Sequence, residues 1–332
     1  MITDINGYKV ALLGDPHLGK AFLHGTPLHR RGEREEMQRL DFEKSLNDVQ
    51  GCIAHVMMGD LFDKWTVPYT IIYEAAQAYL KAAAENPLVT YVILQGNHDA
   101  SRDLERVSAF KLFAGLVRRV RNIIVVDEKV GRLQVEDTLR LTFVPWHPVH
   151  NAADMVEQGK DLILGSHAVF GHWDVLAAFA TDNMLPAAQL KELGVQRAIT
   201  GHDHNKRDME IDGLPITITG SMQPYSFAED TTGEFYITLT KLQLETIQID
   251  LRNKCVRVLL AEGEFIDKPI DCLQFKAQKI GELEFDDDTA LNVEFEGFDI
   301  EKLFEETMEE LKVDAAFRNI ASERYDAERA KQ

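Results

Sequence analysis

Gly96-Asn97-His98-Asp99 follows directly on an apolar run from Leu88 to Leu94. The run predicts a buried strand, and the four residues after it predict a tight turn where that strand ends. The turn carries an amide, an imidazole and a carboxylate side by side. An amide oxygen can bind a metal ion, and the imidazole next to it can face whatever the ion holds. Turns also use Asn and Asp for backbone hydrogen bonds, so the other strand ends decide what this motif means.

Four further apolar runs end in residues of the same kind. Asp15 and His17 follow Tyr8–Gly14, Asp60 follows Cys52–Met58, His167 closes Asp161–Ser166, and His202 and His204 follow Val195–Thr200. In open α/β folds the carboxyl ends of the strands line one crevice. We therefore expect these side chains to meet in one site. At the fourth run His172 is a rival to His167. We favour His167 because it stands directly at the predicted strand end, and assign His172 to supporting a ligand or contacting substrate.

The predicted donors are oxygen and nitrogen atoms, with no cysteine among them, which argues against structural zinc. Together they are Asp15, His17, Asp60, Asn97, His167, His202 and His204. Seven donors are too many for one ion and suit two, with Asp60 as the shared carboxylate. Two ions can clamp a phosphoryl group and generate a hydroxide between them. The mixture of imidazole, carboxylate and amide favours two Mn²⁺ ions, with Mg²⁺ or Fe²⁺ as alternatives.

Charge is unevenly distributed along the 332 residues, whose formal net charge is −19. Residues 281–332 hold 17 acids and 6 bases, a net of −11, so the first 280 residues carry −8. This acidity argues against nucleic-acid binding, which usually needs a basic surface, but does not exclude it. Three widely spaced cysteines indicate a reducing compartment. The sequence shows neither a membrane span nor a signal peptide.

A polar loop with a basic cluster follows the first strand. Arg30, Arg31 and Arg34 lie in it and either contact phosphates or form a solvated surface; Arg31 is the candidate that we carry forward as a substrate contact. The second half of the chain has a different pattern. It predicts antiparallel strands at Phe235–Leu239 and Leu242–Leu251 that close the main sheet, a helix at Cys272–Ile280, a strand at Leu291–Phe295 and an acidic helix at Ile300–Leu311.

The order of these motifs resembles the calcineurin-like metallophosphoesterases. The matching patterns are D-x-H from Asp15, G-D-x-x-D from Gly59, G-N-H-D from Gly96, a lone His, and G-H-x-H from Gly201. Three segments are similar to the SbcD-type DNA nucleases, namely Asp15–Gly19, Gly59–Asp63 and Val144–Trp146. Two more are similar to the small subunit of phage recombination endonucleases, namely Gly171–Trp173 and Gly220–Ala228.

The resemblance implies a fold, residue roles and partners. The fold is α/β, a two-sheet metallophosphoesterase sandwich flanked by helices, with residues 1–252 as the nuclease domain, 253–298 as a small α+β capping domain and 299–332 as a helical tail. The seven donors would bind two Mn²⁺ ions. His98 would stabilise the transition state or protonate the leaving 3′ oxygen, and Asp99 would orient His98 through a hydrogen bond. The implied partners are double-stranded DNA ends, a second copy of the chain, and an SbcC-like SMC/ABC ATPase bound through the C-terminal region.

The function predicted on this basis is a manganese-dependent DNA nuclease. It would process double-strand ends as an exonuclease with single-strand endonuclease potential, in recombination, repair or host DNA degradation. The expected location is the cytoplasm of a bacterial host cell, with the chain encoded by a phage and no membrane partner. Two alternatives remain: a metallophosphoesterase for small phosphoesters or cyclic nucleotides, and a non-catalytic scaffold that tethers DNA.

Overall fold

Two β-sheets packed face to face form the centre of this computed structural model, which describes residues 1–280 apart from 102, 104, 105, 176–180 and 182. The first sheet contains, in spatial order, β1 (Ile2–Ile5), β2 (Tyr8–Leu13), β3 (Cys52–Met57), β4 (Thr90–Leu94) and β5 (Ile123–Val126). The second contains, in chain order, β6 (Gly131–Val135), β7 (Leu139–Val144), β8 (Ala168–His172), β9 (Ala198–Gly201), β10 (Arg207–Ile211) and β11 (Leu214–Ile218).

Both sheets are parallel except at their edges. In the first sheet β2 to β5 run parallel and β1 is antiparallel. The second sheet has the spatial order β10-β11-β9-β8-β7-β6, with the four inner strands parallel and the two edge strands antiparallel. The carboxyl ends of the parallel strands of a sheet therefore lie at one edge of that sheet, as the sequence predicts.

Apolar residues on the inner faces of the two sheets form the central core. Val10 and Val56 of the first sheet belong to one buried cluster with Phe143 and Phe170 of the second, whose rings stack 5.0 Å apart. Strands buried on both faces read as continuous apolar runs, which is why the sequence identifies most of them. His55 lies inside β3 and is 1% exposed, so it is a core residue.

Helices cover the outer faces of the sandwich. The buried side chains of α1 (Glu33–Asn47), α2 (Tyr69–Glu85) and α3 (Ala109–Val117) pack with the first sheet. Those of α4 (Ala152–Gln158), α5 (Lys160–Ile163) and α6 (Ala187–Glu192) pack with the second. The predicted two-sheet α/β sandwich flanked by helices is confirmed. Among the described residues no helix is both long and apolar enough to cross a bilayer.

A third sheet follows the sandwich and corrects two predictions. It consists of three parallel strands, β12 (Tyr236–Thr240), β13 (Cys255–Leu260) and β14 (Gln274–Lys279), with α7 (Lys241–Thr246) after the first. The predicted antiparallel pair closing the main sheet is wrong, because a capping box at Thr240 begins a helix that covers the first five residues of the second of those segments. The predicted helix at Cys272–Ile280 is also wrong. Pairing with β13, and the bond from Phe275 N to Gly25 O, draw that segment into a strand.

The rest of the predicted C-terminal organisation lies outside the described residues. This applies to the strand at Leu291–Phe295, the helix at Ile300–Leu311 and the tail. The domain boundaries placed after residues 252 and 298 stay predictions.

Candidate metal centre

Side chains from five strand ends meet between the two sheets. Asp15 and His17 follow β2, Asp60 follows β3, Asn97 follows β4, His172 ends β8, and His202 and His204 follow β9. Three overlapping groups of acids and histidines have potential ligand atoms within 4.8 Å of one another. These groups are Asp15, His17 and His204; His17, Asp60 and His98; and Asp60, His172 and His202.

Three residues of this cluster have strained backbones. His17, Asp60 and His202 adopt positive φ values of 46°, 49° and 76°. Such conformations cost non-glycine residues on the order of 1 kcal/mol or more and persist where surrounding contacts enforce them. Asn6, Glu136 and Asp212, which lie outside the cluster, also have positive φ values, so the strain supports a functional site only together with the contacts among these side chains.

The first half of the cluster comprises Asp15, His17 and His204. Nε2 of His17 lies 3.2 Å from Nε2 of His204 and 3.8 Å from Oδ2 of Asp60. Nε2 of His204 lies 3.7 Å from Oδ2 of Asp15. Tyr225 closes this half, since its ring packs edge-on against His17 and its hydroxyl donates to the main-chain oxygen of Asp15.

The second half comprises Asn97, His172 and His202. Nε2 of His172 lies 2.9 Å from Oδ1 of Asn97 and 3.3 Å from Oδ2 of Asp60. Nδ1 of His202 lies 3.2 Å from both the Asn97 oxygen and His172 Nε2. Asp60 Oδ2 therefore stands between the two halves, close to His17 on one side and His172 on the other. This is the position expected of a shared carboxylate.

The prediction for the lone histidine requires a correction. His167 precedes β8, at the opposite end from the cluster, and its Nδ1 accepts a hydrogen bond from Arg140 N at 3.1 Å. The strand predicted over Asp161–Ser166 is in fact helix α5 and a turn. His172 stands at the true strand end and is 0% exposed. His172 lies within the cluster itself. It is therefore a candidate ligand, and this replaces its predicted role of supporting a ligand or contacting substrate.

The electrostatics of the cluster fit divalent cations. Burial, together with the neighbouring Asp60 charge, raises the pKa of the Asp15 carboxyl above its usual value. Burial also lowers the pKa of the His17 imidazole well below its ordinary value. Oδ1 of Asp15 and Nδ1 of His17 are buried without a hydrogen-bond partner among the described residues. Buried polar atoms of this kind are costly unless satisfied, and cations bound beside these side chains would offset the clustered negative charge.

His98 lies beside the first half, with its ring edge-on to His17 at a centroid distance of 4.9 Å. Its main-chain N–H donates to Asp60 Oδ1 at 2.9 Å, and its Nδ1 donates to the Asp63 carbonyl at 2.6 Å. With Nδ1 held in this way, Nε2 is the atom that can exchange a proton with a bound group.

Asp99 plays a different part from the one predicted. Its carboxylate accepts main-chain N–H bonds from Leu61, Phe62 and Gly96 at 2.9 to 3.1 Å. The atom that orients His98 is thus the Asp63 carbonyl. Asp99 instead ties the turn after β3 to the turn after β4, and burial raises the pKa of its carboxyl to about 8.

Glycine at position 96 allows these two turns to approach. A Cβ atom there would lie 2.1 Å from Oδ1 of Asp60. The G-N-H-D pattern therefore needs its glycine for contact with the bridging carboxylate rather than for an unusual φ.

Two carboxylates that sequence reasoning missed contact the histidines of the G-H-x-H motif. Asp174 Oδ1 lies 2.8 Å from His202 Nε2, and Glu229 Oε1 lies 3.2 Å from His204 Nδ1. Asp174 follows Trp173 directly, so closeness to the lone histidine was its only signal. Glu229 lies in a loop with no local signal.

The basic loop separates into structural and exposed arginines. Arg34 is 3% exposed, bonds to Gln223 and Pro224, and stacks on Phe235 at 4.1 Å. Arg30 bonds to Glu33 and the Arg252 carbonyl. Both hold the loop to later parts of the chain. Arg31 is exposed, and its role as a substrate contact stays a prediction.

The chain was compared with known proteins by structure and by sequence. Among solved structures the chain resembles a dimetal phosphatase from Danio rerio, at 12% identity over 66% of this chain and 88% of that one, with a TM-score of 0.41. It also resembles the phosphopantetheinyl hydrolase PptH from Mycobacterium tuberculosis, at 13% identity over 65% and 93% of the two chains, with a TM-score of 0.39. No curated protein sequence matches the chain.

The family is established by a sequence profile. The profile of the calcineurin-like phosphoesterases matches residues 8–206, a span that begins at β2 and ends just past His204 and contains every cluster residue described above. Fold, family and donor set agree on a metal-dependent phosphoester hydrolase with a dinuclear site. The chain belongs to the calcineurin-like phosphoesterase family.

Proposed function

We propose that this phosphoesterase is a manganese-dependent DNA nuclease that cleaves phosphodiester bonds at double-strand ends. The observation that carries the proposal is the pair of donor groups sharing Asp60, with His98 beside the first of them. The likeness of Asp15–Gly19, Gly59–Asp63 and Val144–Trp146 to segments of SbcD-type nucleases supports DNA as the substrate. The acidity of the first 280 residues is modest, and bound cations would reduce it further at the site.

Each half of the centre would hold one ion. Asp15, His17 and His204 belong to the first ion, Asn97, His172 and His202 to the second, and Asp60 to both. Bound there, the two ions would polarise a phosphodiester and lower the pKa of a bound water. Manganese accepts this mixture of imidazole, carboxylate and amide, with magnesium and iron as the other candidates.

His98 contributes chemistry of its own. Its Nδ1 is engaged by the Asp63 carbonyl, so the proton it gives to a leaving 3′ oxygen comes from Nε2. General acid catalysis of this kind is worth on the order of 10²- to 10⁴-fold.

The partners belong to the same proposal. A second copy of the chain has a candidate interface on α2 and α3, which pack together and leave Tyr69, Tyr73, Leu112 and Leu116 exposed. Glutamate at both Leu112 and Leu116 should then convert a dimer into a monomer in light-scattering measurements. The SbcC-like ATPase would bind through residues 299–332, which are outside the described residues.

The experiment that tests the function is digestion of end-labelled linear duplex DNA in Mn²⁺, Mg²⁺ or EDTA. The informative variant is His98→Asn, because asparagine can keep the bond to the Asp63 carbonyl while Nε2 is removed. His167→Asn is the matched control, since it changes a histidine outside the cluster. We expect manganese-dependent nucleotide release that EDTA and His98→Asn abolish and His167→Asn preserves.

Other outcomes would redirect the proposal. Hydrolysis of small phosphodiesters or phosphomonoesters without DNA cleavage would favour a small-molecule phosphoesterase. DNA binding without hydrolysis of either substrate, also in the presence of the ATPase, would favour the tethering scaffold.

A further inference from the structure

His202 presents one ring nitrogen to the centre and the other to a carboxylate. Nδ1 lies within 3.2 Å of Asn97 Oδ1 and His172 Nε2. Nε2, on the far side of the ring, lies 2.8 Å from Asp174 Oδ1. Thr181 Oγ1 donates to the second oxygen of Asp174 at 2.5 Å. The carboxylate is therefore itself held in place.

His204 has the opposite arrangement. Its Nε2 faces the centre, at 3.2 Å from His17 Nε2 and 3.7 Å from Asp15 Oδ2. Its Nδ1 lies 3.2 Å from Glu229 Oε1. Glu229 is fixed in turn by the Tyr225 N–H at 2.8 Å and the Ser226 hydroxyl at 3.2 Å. Two histidines of one short motif thus offer different nitrogens to the two halves.

We infer that Asp174 and Glu229 are positioning residues, each of which fixes the ring nitrogen that one histidine presents to one ion. The inference rests on the two-ion centre of the proposed function. A carboxylate that accepts the N–H of a metal-binding imidazole selects its tautomer and makes the other nitrogen a better ligand. Asp174 would serve the second half of the centre, and Glu229 the first.

Sequence proximity alone does not produce this arrangement. Asp203 stands between the two histidines, yet its carboxylate pairs with Arg207 and accepts the Asn205 N–H. Glu229 lies beyond residues 8–206, the segment that the family profile matches. The first half of the centre is therefore completed by a side chain from a part of the molecule that the family pattern does not cover.

Binding of Mn²⁺ to the full chain, measured by isothermal titration calorimetry, tests the inference. The variants are Asp174→Asn and Glu229→Gln, each nearly the same shape as the original, with Asp203→Asn as the matched control. We expect each of the first two variants to lower the affinity for one of the two Mn²⁺ ions by about 10- to 100-fold. Asp203→Asn should bind both ions as the wild type does. Asp174→Glu and Glu229→Asp should recover part of the loss, because a carboxylate is restored.

The same substitutions in a His172→Asn background show which half of the centre each carboxylate supports. His172→Asn should leave a single ion, in the first half. In that background Glu229→Gln should weaken binding of the remaining Mn²⁺ ion, whereas Asp174→Asn should leave it unchanged. Electron paramagnetic resonance of bound Mn²⁺ provides a separate readout, because a spin-coupled pair becomes a single-ion signal when one half empties.

The outcomes separate this inference from the proposed function. The positioning role alone would be overturned if Asp174→Asn and Glu229→Gln both bound two Mn²⁺ ions with wild-type affinity. It would also be overturned if Asp203→Asn lost as much Mn²⁺ affinity as they do. A wild-type chain that binds no pair of ions would overturn the metal centre and the inference with it. Thermal melts of each metal-free variant exclude loss of folding as the cause of weaker binding.

Discussion

Each half of the centre has two histidines, with Asp15 in the first half and Asn97 in the second, but the histidines are supported differently. In the second half, His172 is part of β8, is 0% exposed and donates from Nδ1 to the Met58 carbonyl at 3.0 Å. In the first half, neither His17 nor His204 is part of a strand, and the side chain of His204 is 25% exposed, close to the 28% of His202 in the second half. A loop residue, Tyr225, closes that side.

This difference indicates that the two halves have different roles. A strand-borne ligand buried between two sheets gives the second half little freedom, so we expect it to bind its ion more tightly. The first half lies beside His98 and is bounded by loops, so we expect it to face the substrate. Metal binding and turnover of single-residue variants test these different roles.

Asp60→Asn should disable both halves together. Asparagine can still accept the His98 N–H through Oδ1, but the shared negative charge is lost. Turnover should fall by on the order of 10³-fold or more, because the charge that holds both ions is absent. Calorimetry should show weaker binding of both ions. Loss of only one would contradict the bridging position of Asp60.

His172→Asn should empty the second half selectively. Asparagine can keep the contact with the Met58 carbonyl, while Nε2, the atom facing Asp60 and Asn97, disappears. We expect one Mn²⁺ ion fewer and a loss of kcat/KM of roughly 10²-fold or more. The same substitution at His167 should change neither quantity. Equal effects at the two positions would contradict the observed placement of β8.

Substitutions that keep one nitrogen position should have opposite effects at His202 and His204. An asparagine side chain occupies the Nδ1 region of histidine, and a glutamine side chain reaches the Nε2 region. His202→Asn should therefore retain more metal affinity than His202→Gln, whereas His204→Gln should retain more than His204→Asn. We expect differences of about tenfold, within the range for perturbed metal sites. The same preference at both positions would refute the two ring orientations.

His55 provides a third case, a buried imidazole that belongs to neither half. Burial lowers the pKa of His55 to about 3, whereas the unfolded chain has a value near 6.5. The unfolded state then binds the extra proton between these pH values, so this stability is complete above pH 6.5 and is lost as the pH falls. The free energy of unfolding should drop by about 2 kcal/mol from pH 7.5 to pH 5 because of this group.

The measurement for His55 is urea denaturation in EDTA at both pH values. His55→Phe keeps a ring and removes the titration, so its pH-dependent loss should be smaller by that amount. An unchanged loss would assign the acid sensitivity to the histidines of the centre instead.

Much of the site was predictable because its residues stand directly after apolar runs. The ends of β2, β3, β4 and β9 could be located in this way, and with them Asp15, Asp60 and Asn97. The end of β8 could not. Leu162–Leu164 is as apolar as a strand, yet Leu162 and Ile163 belong to helix α5, and Ile163 is buried in the cluster beside the second sheet. The candidate ligand therefore moved from His167 to His172.

The third sheet shows the same limit. Gln274–Lys279 has no strong local preference, and its strand conformation depends on pairing with β13, which precedes it by some twenty residues of sequence. A non-local partner decided the secondary structure of this segment. For β12 the strand was predicted, and the partner decided the parallel pairing.

The sequence by itself determined the chemistry available to this protein. Four of the five apolar runs form buried parallel strands, and the polar residues after those strands share an edge. Only the tertiary structure decided which atoms meet. His172 is held by Met58, His202 by Asp174 and His204 by Glu229, and each of these contacts joins residues that are 25 or more positions apart in the chain. Such contacts depend on side-chain direction and on how the two sheets pack, which no local pattern encodes.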